Sequence, residues 1–195
     1  MNIKIISALI LAGACSVSVS NLSASNFSYS YIEGGVGDFI DEADDPTFFV
    51  GGSYNVSSNI NLLASYDTTT LTSDGLLDLD FDKFKVGVGY HTPVSDSTDM
   101  TANVQYIGTD VSITNGFNSE EIADGSGYGI GLGLRHKVSD SFEANANVDY
   151  MDVEDGKDTA FTVGARYYFN QKISANLAYT SGDFDGASGS VRFDF

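Results

Sequence analysis

The sequence predicts an all-β protein, an up-and-down antiparallel transmembrane β-barrel of ten strands, with eight as the alternative count. Three observations predict it. Apolar and polar residues alternate strictly over most of the chain, which is the period of two of a β-strand. The connections alternate between short Ser/Asn-rich turns and longer acidic loops, the pattern of a barrel with turns on one side of a membrane and loops on the other. Aromatic residues recur at fixed heights on the apolar faces, as at a membrane interface.

Residues 1–24 read as a secretory leader, leaving residues 25–195 for the barrel. Lys4 gives the positive start, residues 5–14 are apolar but too short to span a bilayer, and Leu22-Ser23-Ala24 is a small-residue cleavage site. A competing processing site is Leu11-Ala12-Gly13-Ala14-Cys15, similar to a bacterial lipobox, although its branched residue stands one place too far from Cys15. Cleavage after Ala24 removes the one cysteine of the chain, and with it disulfide and thiol chemistry.

Residues 26–37 form the first strand candidate, followed by an acidic loop over 38–46. Here Glu33 shares a face with Phe27, Tyr29 and Tyr31. Either these tyrosines point inward with Glu33, or a bulge near Gly34-Gly35 changes the register. The inward arrangement is expected, with Glu33 near Arg135, Arg166 or Arg192. The second and third strands span 47–56 and 60–67, and a long acidic loop is expected over 68–80. The fourth strand, 81–91, sets Phe84, Val86, Val88 and Tyr90 against Lys83, Lys85, Gly87 and Gly89. The fifth covers 100–109, with a turn before it and a loop over 114–124.

The sixth strand is the clearest. In residues 127–137, Tyr128, Ile130, Leu132 and Leu134 occupy one face, and Gly129, Gly131, Gly133, Arg135 and Lys137 the other. The seventh, 142–151, sets Phe142, Val148 and Tyr150 against Glu143, Asn145 and Asp149. After a loop over 154–158, the eighth shows Phe161, Val163, Tyr167 and Phe169 against Gly164, Arg166 and Tyr168. The ninth carries Leu177 and Tyr179. The tenth ends the chain as Val191-x-Phe193-x-Phe195, with Arg192 and Asp194 on the opposite face.

The apolar faces belong to lipid because no charge occupies their middle, where an arginine would cost about 2–4 kcal/mol. Tyr54, Tyr66, Tyr90, Tyr106, Tyr150, Tyr179 and Phe195 are expected to form the aromatic girdle. The charged parity then lines the lumen, where Glu33, Lys85, Arg135, Glu143, Asp149, Arg166, Arg192 and Asp194 form an ion-pair network, since unpaired buried charge is expensive. The inward glycines at 129, 131 and 133 are expected to leave room for Arg and Tyr side chains from across the barrel.

The Val191-x-Phe193-x-Phe195 ending resembles the C-terminal strand signal of Gram-negative outer-membrane proteins, in which a terminal Phe is read by the barrel-assembly machinery. The mature chain resembles small outer-membrane barrels of the OmpA/OmpX type. Tyr29-x-Tyr31-x-Glu33-Gly34-Gly35 and Lys85-Val86-Gly87-Val88-Gly89-Tyr90 look like a related family of uncharacterised bacterial barrels. The resemblance implies a cell-surface location in the outer membrane and contact with membrane lipid and lipopolysaccharide.

The formal charge of −18, Asp+Glu 27 against Lys+Arg 9, excludes nucleic acid, which needs a basic footprint. Divalent cations are candidate ligands of the acidic loops, at Asp41, Glu42, Asp44 and Asp45 or at Asp78 and Asp80. Asp78-x-Asp80-x-Asp82 is not an EF-hand, since its sixth position is Lys83 and its twelfth Gly89. No cofactor, metal centre or catalytic set is expected: His91 and His136 fall near the turn side as polar interfacial residues, away from any loop-side triad. The function expected is a non-enzymatic barrel with a charge-paired lumen and a structural or surface-interaction role. A narrow porin-like channel is the alternative, and a rim hydrolase a third, weaker reading.

Overall fold

The computed structural model describes residues 27–39, 46–73, 77–114, 119–154, 156–183 and 185–195. Ten strands run in order: β1 (Tyr31–Asp38), β2 (Thr47–Asn55), β3 (Ile60–Ser73), β4 (Leu77–Ser95), β5 (Thr98–Thr114), β6 (Ser119–Ser139), β7 (Phe142–Val153), β8 (Gly156–Tyr168), β9 (Ile173–Ser181) and β10 (Gly186–Asp194). Each pairs antiparallel with its sequence neighbours, and β1 pairs with β10, so the sheet closes. Closure leaves no edge through the membrane, the condition for a sheet to stand in lipid. Among the described residues no helix is long and apolar enough to cross a membrane.

Turn chemistry closes the short side. The Asn170 side-chain oxygen accepts from the backbone N–H groups of Lys172 (2.8 Å) and Ile173 (3.0 Å), folding β8 back into β9. Between β2 and β3, Val56 N–H donates to the Ile60 carbonyl at 3.0 Å.

Facing follows the alternation. Leu132, Val163 and Phe193 are 55 %, 59 % and 43 % exposed on the outer wall. Arg135, Arg166 and Arg192 are at most 2 % exposed inside it. The first strand has its tyrosines inward with Glu33, and Tyr29 and Tyr31 are fully buried. The ladder through Gly34-Gly35 is unbroken, opposite Val191 and Ser190, so no bulge is needed there.

Several expected loops are strand. A bilayer needs about 9–11 residues of tilted strand, whereas β4, β5 and β6 have 19, 17 and 21. Residues 68–73 continue β3, residues 77–80 begin β4, β6 starts at Ser119, and β8 starts at Gly156. The turn expected before the fifth strand is also shorter, because pairing continues to Ser95↔Thr98. Above the membrane the rule of facing inverts. Water now bathes the outer wall, so acids and hydroxyls point out, and Val111, on the Lys83 side of the sheet, points in. Hydroxyl–carboxylate bonds hold the extension together: Thr70 and Thr114 donate to Asp80 at 2.8 and 3.0 Å, and Tyr66 donates to Asp82 at 2.7 Å. One consequence is a row of like charges, Asp82↔Asp110↔Asp124, directly opposed on three adjacent strands. An extra residue, Ile122, bulges β6 just above that row.

Candidate functional site: the lumen and its rims

The lumen is stacked in three layers. The lowest, on the turn side, holds three arginines from β6, β8 and β10. Arg135 pairs with both carboxylate oxygens of Glu143 on β7, and Tyr168 joins them, accepting from Arg135 at 3.0 Å and donating to Glu143 at 2.5 Å. Arg166 donates to both oxygens of Glu33 at 2.8 and 3.0 Å and to Ser174 at 3.2 Å; Ser190 donates to the same Glu33. Arg192 donates to Asp194 at 2.6 and 3.0 Å and lies 3.7 Å from the ring centre of Tyr31. Charge-assisted forks of this kind are the strong class of hydrogen bond, and they are what allows a guanidinium to sit out of water.

The middle layer is amide and lysine. Lys83 and Lys85 share one oxygen of Asp67, at 3.3 and 3.6 Å. Gln105 donates to Asn103 at 2.7 Å and Asn145 to Asn176 at 3.1 Å. Asp149 is half-buried on the lumen face and lines, with Lys85, Asn103, Gln105 and Gly129, a residual cavity of about 30 Å³. That is room for a water or two. The inward glycines yield space to these amides from neighbouring strands. A Cβ on Gly131 would collide with Asn103 and Asp149, and one on Gly133 with Asn147. The expectation that Arg and Tyr from across the barrel fill this space is corrected: the amides arrive first because they are cross-strand neighbours.

The upper layer holds an apolar cluster, Ile107, Met151, Val153 and Ala160, beside the buried Asp158, which is the register partner of Met151. Thr162 and Thr180 meet at 3.0 Å, and Thr47 and Thr69 at 2.7 Å.

Of the residues named from the sequence, Glu33, Arg135, Glu143, Arg166, Arg192 and Asp194 come together in the lowest layer, while Lys85 and Asp149 stand apart in the middle one. Asp67, Lys83, Asp99, Tyr29, Tyr31 and Tyr168 also take part and were not named as network members, although the inward facing of Lys83, Tyr29, Tyr31 and Tyr168 was expected. Parity marked the inward ones, but not which would meet: Arg135 finds Glu143 on the next strand, whereas Arg166 and Tyr29 find Glu33 and Asp99 on strands distant in sequence. Tyr54, Tyr66, Tyr90, Tyr106, Tyr179 and Phe195 are 44–61 % exposed on the outer wall, and Tyr150 is half-buried there. Phe84 with Tyr106 (5.9 Å) and Tyr128 with Tyr150 (6.4 Å) link neighbouring strands of the upper ring.

The two histidines differ. His136 is exposed and bonds Thr98 at 2.9 Å. His91 is fully buried inside the barrel, stacked on Tyr29, so its reading as an interfacial residue is corrected: its odd parity puts it on the face of Lys85 and Gly89.

At the outer rim, Lys157 forms an ion pair with Asp152 at 2.9 Å, which holds the Asp152 carboxyl below its ordinary range. Tyr150 and Tyr128 donate to the same oxygen at 3.2 and 3.3 Å. Among the described residues no three His, Cys, Asp or Glu side chains converge as a metal site. Asp41, Glu42, Asp44 and Asp45 lie outside the described residues, as does the leader.

Residues 7–169 match the outer membrane protein β-barrel domain family. No curated protein matches the chain. Among solved structures, a KdgM porin in complex with disordered oligogalacturonate is similar at TM-score 0.53 and 7 % identity, over 85 % of this chain and 99 % of that one. The NanC porin is similar at TM-score 0.50 and 7 % identity, over 85 % and 98 %. The N-terminal β-barrel domain of Pseudomonas aeruginosa OprF is similar at TM-score 0.47 and 14 % identity, over 85 % and 96 %. At such identities the likeness is one of fold. With a closed sheet that is apolar outside and charge-paired inside, the family match over most of its length makes this chain a member of the outer membrane protein β-barrel domain family, and its place is the outer membrane.

Proposed function

We propose that the protein is a closed, non-enzymatic outer-membrane barrel whose work is done at its surface. The observation that carries this reading is the burial of Arg135, Arg166 and Arg192, each at most 2 % exposed across the turn-side lumen. Arginines lining an aqueous pore are wet; these are enclosed by carboxylates and rings.

The outward parts of the reading are these. A leader over residues 1–24 exports the chain, and Phe195 engages the barrel-assembly machinery. The aromatic girdle and the acid-rich rim meet membrane lipid and lipopolysaccharide, with divalent cations bridging acid to phosphate. The cell-surface role is structural or adhesive.

A narrow channel is the second reading. The inward glycines favour it, and two of the similar structures are porins, but amides fill the space that the glycines leave. Planar-bilayer recording decides. The closed reading expects no unit conductance from folded protein; steady unit steps would establish the channel instead.

A further inference from the structure

We propose that His91 makes residues 27–30 a strap across the turn-side mouth that loosens when the imidazole takes up a proton. It rests on the reading of a closed lumen, whose floor this segment forms.

The strap precedes β1 and has no ladder of its own. Side chains hold it. Arg192 donates to the Ser28 carbonyl at 2.7 Å and Arg135 to the same oxygen at 3.5 Å. Ser53 donates to the Tyr29 carbonyl at 2.8 Å, and Phe195 N–H to the Ser30 carbonyl at 3.1 Å. Phe27 and Tyr29 point inward beneath the Arg135 guanidinium, 4.6 and 5.4 Å from their ring centres. The Tyr29 hydroxyl donates to Asp99 at 2.7 Å. Its ring lies nearly parallel to His91, 18° between planes and 4.2 Å between centres.

His91 is an unusual choice for that contact. Neither ring nitrogen has a hydrogen-bond partner, although the residue is fully buried. A phenylalanine would stack as well and leave nothing unpaired. Buried polar atoms without partners are rare in native proteins and ask for a reason. Nearby acceptors also lack donors: one oxygen each of Asp99 and Asn61.

The groups around His91 decide what a proton does. Tyr29 faces it from the strap, and Asn59 on the β2–β3 turn bonds its backbone at 2.9 and 3.1 Å. Thr101 on β5 is its register partner, with Asp99 on the same strand. Tyr90 flanks it on β4, and Arg135, paired with Glu143, lies beyond Tyr29. An imidazolium would be a second cation on the Tyr29 ring, which already has Arg135 near it. It would also carry two N–H donors, which Asp99 and Asn61 can accept. Repulsion from Arg135 and the pull of these acceptors draw His91 off the ring, and a bond from His91 to Asp99 shifts the carboxylate that the Tyr29 hydroxyl holds. Solvent reaches the strap from an open bowl of about 680 Å³, lined by Phe27, Ser28, Lys137, Tyr168 and Asp194.

The test uses the full chain with Cys15→Ser and Ser28→Cys, spin-labelled at position 28 and folded in liposomes. Label mobility is compared at pH 7.5 and pH 4, with and without His91→Phe. The expected result is a reversible several-fold gain in mobility in acid, absent with His91→Phe. An acid response that survives His91→Phe, or no response with His91 present, overturns the proposal. Should the label prevent folding, hydrogen exchange at the amides of residues 27–31, corrected for intrinsic rates, reads the same comparison in unlabelled protein. Conductance at pH 7.5 tests the closed reading by itself, so the two fail separately.

Discussion

Arg166 on β8 reaches across the lumen to Glu33 on β1, 133 residues away in sequence, and holds both its oxygens at 2.8 and 3.0 Å. The pair ties the first strand to one three places away round the barrel. Removing one member leaves the other charged and buried without its ion-pair partner, which costs about 3–5 kcal/mol. Glu33→Ala is expected to lower stability by that amount in urea unfolding from liposomes. Glu33→Ala with Arg166→Met is expected to lose less than Glu33→Ala alone. Equal losses would show that the two do not act as a pair.

Leu132 sits mid-height on the outer wall at 55 % exposure. Leu132→Arg is expected to cost about 2–4 kcal/mol at the bilayer midplane and to reduce folding yield in liposomes sharply. Glu121→Ala, at the exposed rim, is expected to leave the yield unchanged. Equal yields would reverse the facing.

A methyl group at Gly133 would meet the side-chain oxygens of Asn147 and Thr101. Gly133→Ala is expected to destabilise by about 1–3 kcal/mol through overpacking. Adding Asn147→Ala should return part of that loss, as read by the same unfolding midpoint.

The row Asp82↔Asp110↔Asp124 opposes like charges on the outer face. Directly opposed like charges weaken a sheet by about 0.2–1 kcal/mol. Asp110→Asn is expected to stabilise the extension, seen as slower hydrogen exchange in β4–β6, with the gain shrinking at high salt.

The Asp152–Lys157 pair carries a pH signature. Its hydrogen bond from Lys157 depresses the Asp152 carboxyl from 3.8, and the same partner raises the lysine from 10.5. The depressed acid contributes above its unfolded value and is lost as pH falls through the folded one. The raised base contributes below its unfolded value and is lost as pH rises through the folded one. The pair is therefore whole between those limits. Lys157→Met should bring the Asp152 titration, followed by NMR, back up toward 3.8.

Most of the barrel was legible because lipid enforces alternation without exception: Ile130, Leu132 and Leu134 could face only one way. The network members were legible by parity, as the inward side of strands whose other side is greasy. Their pairing was legible only in part: Glu33 was expected near one of three arginines, but closure of β1 on β10 is what selects Arg166, and Asp67 meets Lys83 through the β3–β4 register, which parity does not give. The strand extensions were misread for the opposite reason. Above the interface water takes the place of lipid, so Asp80, Thr70 and Asp82 face out, and acid-rich sequence there looks like loop. Fixed pairing with Thr114 and Tyr66 keeps it extended.

The reversal of facing at the upper aromatic ring also fixes how deep the protein rides. Sliding inward by two residues would carry Asp82, Asp110 and Asp124 toward hydrocarbon together, while sliding outward would lift Tyr66, Tyr106 and Tyr128 off the headgroups. Both displacements are opposed at once, so the ring acts as a waterline, and the barrel should keep its draught in bilayers of differing thickness by deforming the lipid around it.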